Sequence, residues 1–203
     1  MKKRIIFATG NKGKIKEIRM IMEDTGMEII SMKDAGIDPK IVEDGLNFEE
    51  NALIKARAVA KYTSDIVLAE DSGLEVDALN KEPGIYSARY LGEDTPYSVK
   101  NADIIKRLEG VEGDRRSARF VCAIAAVLPD GRELTTRATI EGLIGYEEKG
   151  KNGFGYDPIF VVPEYQKTTA ELREEEKNQI SHRGKALRLM KEELKKHENP
   201  DRK

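Results

Sequence analysis

The stretch RIIFATGNKGKIKEI (residues 4–18) decides the fold class of this chain. Its apolar start predicts a buried strand over residues 4–8, and isoleucines at helical spacing predict a helix over residues 14–24. The loop between them consists of Thr9, Gly10, Asn11, Lys12, Gly13 and Lys14. Backbone N–H groups in a loop of such small and polar residues can approach a phosphate at the start of the helix. A strand, a loop and a helix in this order indicate the beginning of an α/β fold.

Positive charge accumulates at the start of this predicted helix, at Lys12, Lys14 and Lys16. The first turn of a helix is already the positive end of the peptide dipole, so each cation there should cost a few tenths of a kcal/mol, up to about 1. Residues 181–183 (Ser-His-Arg) repeat this pattern at a second predicted helix start. We therefore expect an anionic ligand near both helix starts. The alternative for the first one is a tight turn followed by a solvated lysine face.

The remaining chain alternates predicted helices and strands before a hairpin. Strands are predicted over residues 27–31, 66–69, 119–128 and 134–144. Helices are predicted over residues 48–62, from Thr95-Pro96 to about Gly110 and over residues 182–196. In addition, Thr168 to Glu171 predict the capping box of a short acidic helix. Pro129-Asp130-Gly131-Arg132 favours a hairpin between the last two strands. This order predicts an α/β fold with a mixed sheet.

Composition and charge exclude several classes of protein. The 203-residue chain has a net charge of −2, which argues against a protein that mainly coats DNA or RNA. No apolar run approaches the roughly 20 residues of a membrane span, and the first apolar run is too short for the core of a signal peptide. The single cysteine, Cys122, excludes an internal disulfide framework, and two histidines exclude a histidine-rich metal centre. We expect a cytoplasmic protein that binds neither nucleic acid nor membranes.

Two segments carry residues suited to catalysis or to binding a planar ligand. Glu70 and Asp71 follow a buried apolar run, and adjacent side chains on a strand point to opposite faces, so we do not expect both carboxylates to serve one site. The segment GFGYDPIF (residues 153–160) places Phe154 and Tyr156 beside glycines, where an aromatic ring could stack on a base. The alternatives are a capped turn at Glu70 and two aromatic side chains in the core.

Six motifs occur in the order found in one protein family. They are ATGNKGKIKE, FEENALIKA, AEDSGLEVDAL, PGIYSARY, GFGYDPIF and SHRGKAL, and they extend from about residue 4 to residue 195. In these motifs the chain resembles the inosine/xanthosine triphosphate pyrophosphatases. With this resemblance we expect an α/β fold with a mixed, elongated central sheet flanked by helices, and two lobes with the active-site cleft between them. One domain would cover residues 1–196, followed by a charged tail at residues 197–203.

The resemblance implies roles for individual residues. Asp71 would be the catalytic carboxylate, acting as general base for the attacking water and as a Mg²⁺ ligand, and Glu43 would be a second metal ligand. Lys55, which shares a face of its predicted helix with Asn51, would reach the phosphates together with the loop from Thr9 to Lys14. The other substrate contacts implied are Ser72, Phe154, Gly155, Tyr156, Asp157, Lys177, His182 and Arg183. In one departure, Glu70 stands where many bacterial relatives have aspartate.

The resemblance also implies an activity. A Mg²⁺-dependent homodimer would hydrolyse the non-standard purine nucleotides ITP, dITP and XTP to the nucleoside monophosphate and pyrophosphate, which cleanses the nucleotide pool. Donors aimed at the six-position oxygen of the base would meet another donor in ATP, which should therefore be a poor substrate. GTP has the same six-oxo group, so its rejection must involve the two-position. Two alternatives stay open: a pyrophosphatase for pyrimidine or modified nucleotides, and a nucleotide-binding module without turnover.

Overall fold

The computed structural model describes residues 4–198 and contains seven strands and five α-helices within that range. The strands are β1 Arg4–Phe7, β2 Glu28–Ser31, β3 Ile66–Val76, β4 Ser117–Val127, β5 Glu133–Ile144, β6 Phe160–Val162 and β7 Lys167–Thr168. The helices are α1 Lys12–Met22, α2 Phe48–Ala60, α3 Tyr97–Arg107, α4 Glu174–Ile180 and α5 His182–Glu198. None of the helices in the described range is both long enough and apolar enough to span a bilayer.

The seven strands form one sheet in the order β2-β1-β3-β4-β5-β6-β7. Strand β1 is parallel to both of its neighbours, with Ile5 opposite Ile29 on one side and opposite Ile66 on the other. Strand β6 is antiparallel to β5 and to β7. The prediction of an α/β fold with a mixed sheet is therefore confirmed. The predicted hairpin is also confirmed, because β4 and β5 are neighbours and the Gly131 N–H donates to Leu128 across the turn.

The chain forms two compact units, each with its own hydrophobic core. Unit 1 comprises Met1–Asp71, Cys122–Ala138 and Arg183–Lys203, and unit 2 comprises Ser72–Val121 and Thr139–His182. The core of unit 1 includes Phe7, Ile18, Leu68, Cys122, Ile124 and Met190. The core of unit 2 includes Leu74, Val76, Ile104, Phe120, Ile144 and Phe160. Cys122 is fully buried, which suits a small apolar side chain rather than a nucleophile.

Strand β3 is longer than the sequence pattern indicated. We predicted a strand over residues 66–69, with a capped turn at Glu70 as the alternative for the residues that follow, but the strand continues to Val76. Leu74 and Val76 are fully buried and Glu75 between them is not, which is the alternation expected of a strand. Glu70 and Asp71 are consequently held within a strand and do not lie in a turn that follows one.

Several helix ends also differ from the prediction, as the following examples show. Helix α1 begins at Lys12, two residues early, because the Asn11 side chain caps it. The helix start predicted at Thr168 is wrong, because Thr168 belongs to β7 and the acidic helix α4 begins only at Glu174. The Glu171 side chain nevertheless accepts from the Thr168 N–H at 2.8 Å, as the predicted capping box requires. Helix α5 includes His197 and Glu198, which we had assigned to the tail. The rest of that tail, residues 199–203, lies outside the described residues.

Candidate functional site

The loop before α1 is a turn in which the Asn11 side chain caps the helix. The Asn11 Oδ1 atom accepts hydrogen bonds from the backbone N–H groups of Gly13 (2.9 Å) and Lys14 (3.1 Å). The Asn11 N–H in turn donates to the hydroxyl of Thr9 at 3.2 Å. The residues from Gly10 to Gly13 are exposed. A phosphate that bound to the N–H groups of Gly13 and Lys14 would take the place of the Asn11 side chain.

The helices differ in the charge of their first turns. Helices α2 and α4 carry glutamates there, which the helix dipole favours, whereas α1, α3 and α5 carry no acid in that turn. An acid is nevertheless close to the starts of α1 and α5. The Glu70 carboxylate in β3 pairs with Lys14 at the start of α1 (2.7 Å) and with Arg183 at the start of α5 (2.7 Å). At least one anion near the two helix starts is thus supplied by the chain itself.

Glu70 remains ionised despite its burial. Only 2% of the residue is exposed, and burial alone would raise the pKa of its carboxyl group. The charges of Arg183 and Lys14 outweigh burial and hold the pKa of Glu70 well below its usual range. Arg183 is equally buried and also pairs closely with Glu17 of α1. These contacts engage its guanidinium within the protein, and its role as a substrate contact stays a prediction.

Asp71, the next residue of β3, contacts a different helix. The Lys55 ammonium donates to Asp71 Oδ1 at 3.2 Å, and the Asn51 amide donates to Asp71 Oδ2 at 3.1 Å. Both partners lie on α2, four residues apart, whereas Glu70 contacts α1 and α5. This separation agrees with the expectation that adjacent strand residues serve different faces.

The environment of Asp71 suits a general base. Burial raises the pKa of its carboxyl group above the ordinary value of 3.8, and the Glu43 charge acts in the same direction. The Lys55 charge and the Asn51 hydrogen bond lower the pKa, but they do not cancel the effect of burial. A carboxylate with a raised pKa accepts a proton from water more readily than an ordinary one.

The same cluster fits a hard divalent cation. The Lys55 ammonium also donates to Glu43 Oε2 at 2.8 Å, so both carboxylates already face one positive charge. Among residues 4–198 no group of three or more His, Cys, Asp and Glu side chains could hold a metal alone. Mg²⁺ typically takes one or two carboxylates and completes its shell with water and substrate phosphates. Glu43 and Asp71 are therefore the residues that could hold a divalent metal, with water and phosphate as its other ligands.

Asn51 is a candidate site residue that sequence analysis did not identify. It is fully buried, and its Oδ1 atom accepts a hydrogen bond from the Gly45 N–H at 2.9 Å. Because its amide nitrogen donates to Asp71, this side chain connects the loop that carries Glu43 to the catalytic candidate. A Cβ atom at Gly45 would lie 2.7 Å from Asn51 Oδ1, so glycine is needed there. The signal in the sequence was its spacing of four from Lys55 on one helix face.

In unit 2 a buried carboxylate organises the aromatic loop. Asp157 Oδ2 accepts hydrogen bonds from the Phe154 N–H and from the Lys177 ammonium, both at 2.8 Å, and its Oδ1 accepts from the Thr169 hydroxyl at 2.7 Å. Gly153 has a left-handed φ of +75°, and a Cβ there would lie 2.1 Å from Asp157 Oδ2. Asp157 thus holds the loop and Lys177 together.

The two aromatic residues of this loop have different environments. Tyr156 is only 4% exposed, belongs to the core of unit 2 and donates its hydroxyl proton to the Ser87 carbonyl at 2.8 Å. Phe154 is 38% exposed, and the Lys177 ammonium lies 5.0 Å from its ring centroid. Phe154 is therefore partly exposed to solvent, whereas the core alternative holds for Tyr156.

The remaining predicted contacts are placed as follows. His182 is buried, and its ring stacks on Phe120 with centroids 4.9 Å apart. Gly155 adopts a φ of +69° between Phe154 and Tyr156. Ser72 is half-buried and follows Asp71 in β3. The structure thus brings together Lys14 with Arg183, Glu43 with Lys55 and Asp71, and Phe154 with Asp157 and Lys177.

Comparison with known proteins agrees with the order of motifs. The model of the Ham1 family matches residues 5–193, which is nearly the whole chain. The chain belongs to the Ham1 family. A relative of this family from Exiguobacterium sibiricum, named dITP/XTP pyrophosphatase, is 47% identical over 191 residues, which cover 94% of this chain and 96% of that protein.

Solved structures of Ham1 relatives have the same fold. The Ham1 protein of Staphylococcus aureus aligns with a TM-score of 0.86 and 42% identity, covering 96% of this chain and 100% of that one. A Mycobacterium abscessus protein, described as a nucleoside-triphosphatase and dITP/XTP pyrophosphatase, aligns with a TM-score of 0.74 and 41% identity, covering 92% and 98%. The predicted family and fold class are confirmed.

Proposed function

We propose that this protein hydrolyses the non-standard purine nucleoside triphosphates dITP, XTP and ITP to the monophosphate and pyrophosphate. The observation that carries the proposal is the cluster of Asp71, Lys55 and Glu43, in which a buried carboxylate with a raised pKa lies beside a lysine and a second acid. The names of the relatives in Exiguobacterium sibiricum and Mycobacterium abscessus support this substrate class.

In the proposed reaction the chain supplies a base and several cations. Asp71 orients a water molecule and accepts its proton as the water attacks the α-phosphorus, and pyrophosphate leaves. Lys55, Lys14 and the loop from Thr9 bind the phosphate oxygens and stabilise the charge that develops on the leaving group. Mg²⁺ held by Glu43 and Asp71 would neutralise part of the triphosphate charge when it is bound. Removing the Asp71 charge should therefore abolish turnover.

Recognition of the base is assigned to unit 2. Phe154 stacks on the purine, and Lys177 and His182 donate to the six-position oxygen. Because the Asp157 carboxylate is already occupied by Phe154 and Lys177, we assign it to holding these two groups rather than to contacting the base. Ser72 and Arg183 stay predicted substrate contacts, as do Gly155 and Tyr156 through their place in the loop.

Three further features belong to the proposal. Nucleotide pyrophosphatases generally need a divalent metal, and we propose that the metal is Mg²⁺ because the ligand pair consists of carboxylates that require phosphate oxygens to complete the shell. We also propose a homodimer in the cytoplasm, in line with the resemblance to the family. Residues 1–196 would act as one catalytic domain on a small-molecule substrate.

A substrate panel tests the proposed function. Purified protein is mixed with ITP, dITP, XTP, GTP or ATP at fixed Mg²⁺, and the products are separated by ion-exchange chromatography. The proposal predicts monophosphate and pyrophosphate from the first three nucleotides and much slower turnover of ATP. Release of orthophosphate and a nucleoside diphosphate would contradict attack at the α-phosphorus. Tight binding of XTP without any product would favour a nucleotide-binding module instead.

A further inference from the structure

We infer that Glu70 is a positioning residue whose carboxylate holds the Lys14 ammonium at the phosphate-binding loop and connects the starts of α1 and α5. The inference rests on the proposed function, because it assigns Lys14 to the phosphates of the substrate. It adds a role for a carboxylate that is adjacent to the proposed catalytic base but faces other elements. It also accounts for one cation at each of the two helix starts, since Lys14 and Arg183 share the Glu70 carboxylate.

The geometry of Glu70 is that of a shared acceptor. Its Oε2 atom accepts from Arg183 Nε at 2.7 Å. Its Oε1 atom accepts from Arg183 Nη2 at 3.1 Å and lies 2.7 Å from the Lys14 ammonium. The guanidinium thus binds the carboxylate in a bidentate manner, which fixes the orientation of both groups. With this orientation fixed, the carboxylate presents one oxygen to Lys14 in a defined position.

Lys14 retains the capacity to bind phosphate while it contacts Glu70. An ammonium group has three N–H donors, and Glu70 accepts one of them. About a fifth of the Lys14 side chain is exposed, whereas Glu70 is almost completely buried. A ligand can therefore approach the ammonium from the exposed side. Holding this long side chain in place before the ligand arrives reduces the entropy that binding would otherwise cost.

Ion pairs of alternating charge lead from Glu17 to Lys14. Glu17 pairs with Arg183, Arg183 pairs with Glu70, and Glu70 pairs with Lys14. A purely structural account would have Glu70 serve Arg183 alone, as the partner that a buried guanidinium requires. In that case Lys14 would bind phosphate equally well without the Glu70 charge. The two accounts therefore differ in how the effects of substitutions at Glu70 and Lys14 combine.

A double-mutant cycle on phosphate binding separates the two accounts. The variants are E70Q, K14M and the double substitution, and K16M is the matched control because Lys16 carries the same charge on the exposed side of the same helix. Isothermal titration calorimetry with inorganic tripolyphosphate and Mg²⁺ gives the Kd, and this probe does not require hydrolysis. KM and kcat for XTP are measured in parallel.

The inference predicts non-additive effects. Both E70Q and K14M should raise the Kd for tripolyphosphate about ten-fold, which corresponds to about 1.4 kcal/mol, and the double variant should bind no more weakly than either. KM for XTP should rise with the Kd, and K16M should stay within about two-fold of the wild type. E70D keeps the charge and should bind more tightly than E70Q.

Several results of these measurements would refute the inference that Glu70 positions Lys14. If E70Q binds tripolyphosphate like the wild type while K14M does not, or if the two effects add, Glu70 does not position Lys14. If E70Q does not fold, E70D replaces it in the cycle, and E70D must then weaken binding in the wild-type background but not in the K14M background. If the effects of E70Q and K14M on tripolyphosphate binding are non-additive but the wild type does not cleave XTP, only the proposed function is refuted. If the wild type cleaves XTP but the two effects add, only the inference is refuted.

Discussion

The substitution Asn51→Asp tests the assignment of Asp71 as general base, because it changes the charge next to Asp71 and hardly changes the shape of the side chain. The substitution keeps the oxygen that accepts from the Gly45 N–H and replaces the amide nitrogen that donates to Asp71 with a second oxygen. A hydrogen bond to a charged group contributes about 1.5–3 kcal/mol, and its loss alone corresponds to a fall in kcat of about 10- to 100-fold. Repulsion between two adjacent carboxylates adds to this loss. We expect kcat for XTP to fall by at least about ten-fold, with a much smaller change in KM.

The matched control is Asn47→Asp, four residues earlier. Asn47 is exposed and caps the same helix, where its Oδ1 accepts from the Glu50 N–H at 2.8 Å and its amide nitrogen donates to Glu50 Oε1 at 3.0 Å. An aspartate keeps the backbone cap but replaces the donor to Glu50 with an oxygen, so the control makes the same kind of change next to a carboxylate other than Asp71. Pyrophosphate release from XTP is followed for both variants, and circular dichroism melting curves check their folding. A kcat within two-fold of the wild type for a folded Asn51→Asp variant would refute the role assigned to Asn51.

Three further predictions concern unit 2. Phe154→Ala should raise KM for XTP about ten-fold, since stacking on a base is worth roughly 1–3 kcal/mol, and an unchanged KM would remove Phe154 from the base site. Gly153→Ala should lower the thermal midpoint of unfolding and raise KM, because its Cβ would collide with Asp157 at a φ of +75°; an unperturbed melting curve would contradict this. Hydrogen bonds from Arg119, Lys81 and Ser117 lower the pKa of Asp77 below its usual 3.8, so the stability that it contributes is present above about pH 4 and disappears as the pH falls further. Asp77→Asn should therefore lower the free energy of unfolding in urea at pH 7 by about 1 kcal/mol and by less at pH 3, and an equal loss at both would contradict the assignment.

Local patterns predicted the elements that position the candidate site. The apolar run before Thr9 and the isoleucine spacing after it led to β1 and α1, because periodicity is a local property. The alternation rule separated Glu70 from Asp71 before their partners were known. The end of β3 was missed, because the turn propensity of Gly73 competes with burial of Leu74 and only tertiary packing decides between them.

The partners of the buried charges could not be predicted from local patterns. Glu70 and Arg183 are 113 residues apart, and no local pattern near either residue indicates that they form a pair. We therefore expected a ligand to balance the cations at both helix starts, and the structure shows a carboxylate of the chain there. Asn51 was missed for the same reason, since its contact with Asp71 joins residues that are 20 apart. The sequence showed that Asn51 shares a helix face with Lys55, but only the tertiary structure shows that it contacts Asp71.

The most direct test of the proposed reaction follows the oxygen atom of the attacking water. The protein is incubated with XTP and Mg²⁺ in ¹⁸O-labelled water, and both products are examined by mass spectrometry. Attack at the α-phosphorus with Asp71 as base places the label in the nucleoside monophosphate and leaves the pyrophosphate unlabelled. Label in the pyrophosphate, or a nucleoside diphosphate with labelled orthophosphate, would contradict the reaction assigned to this site.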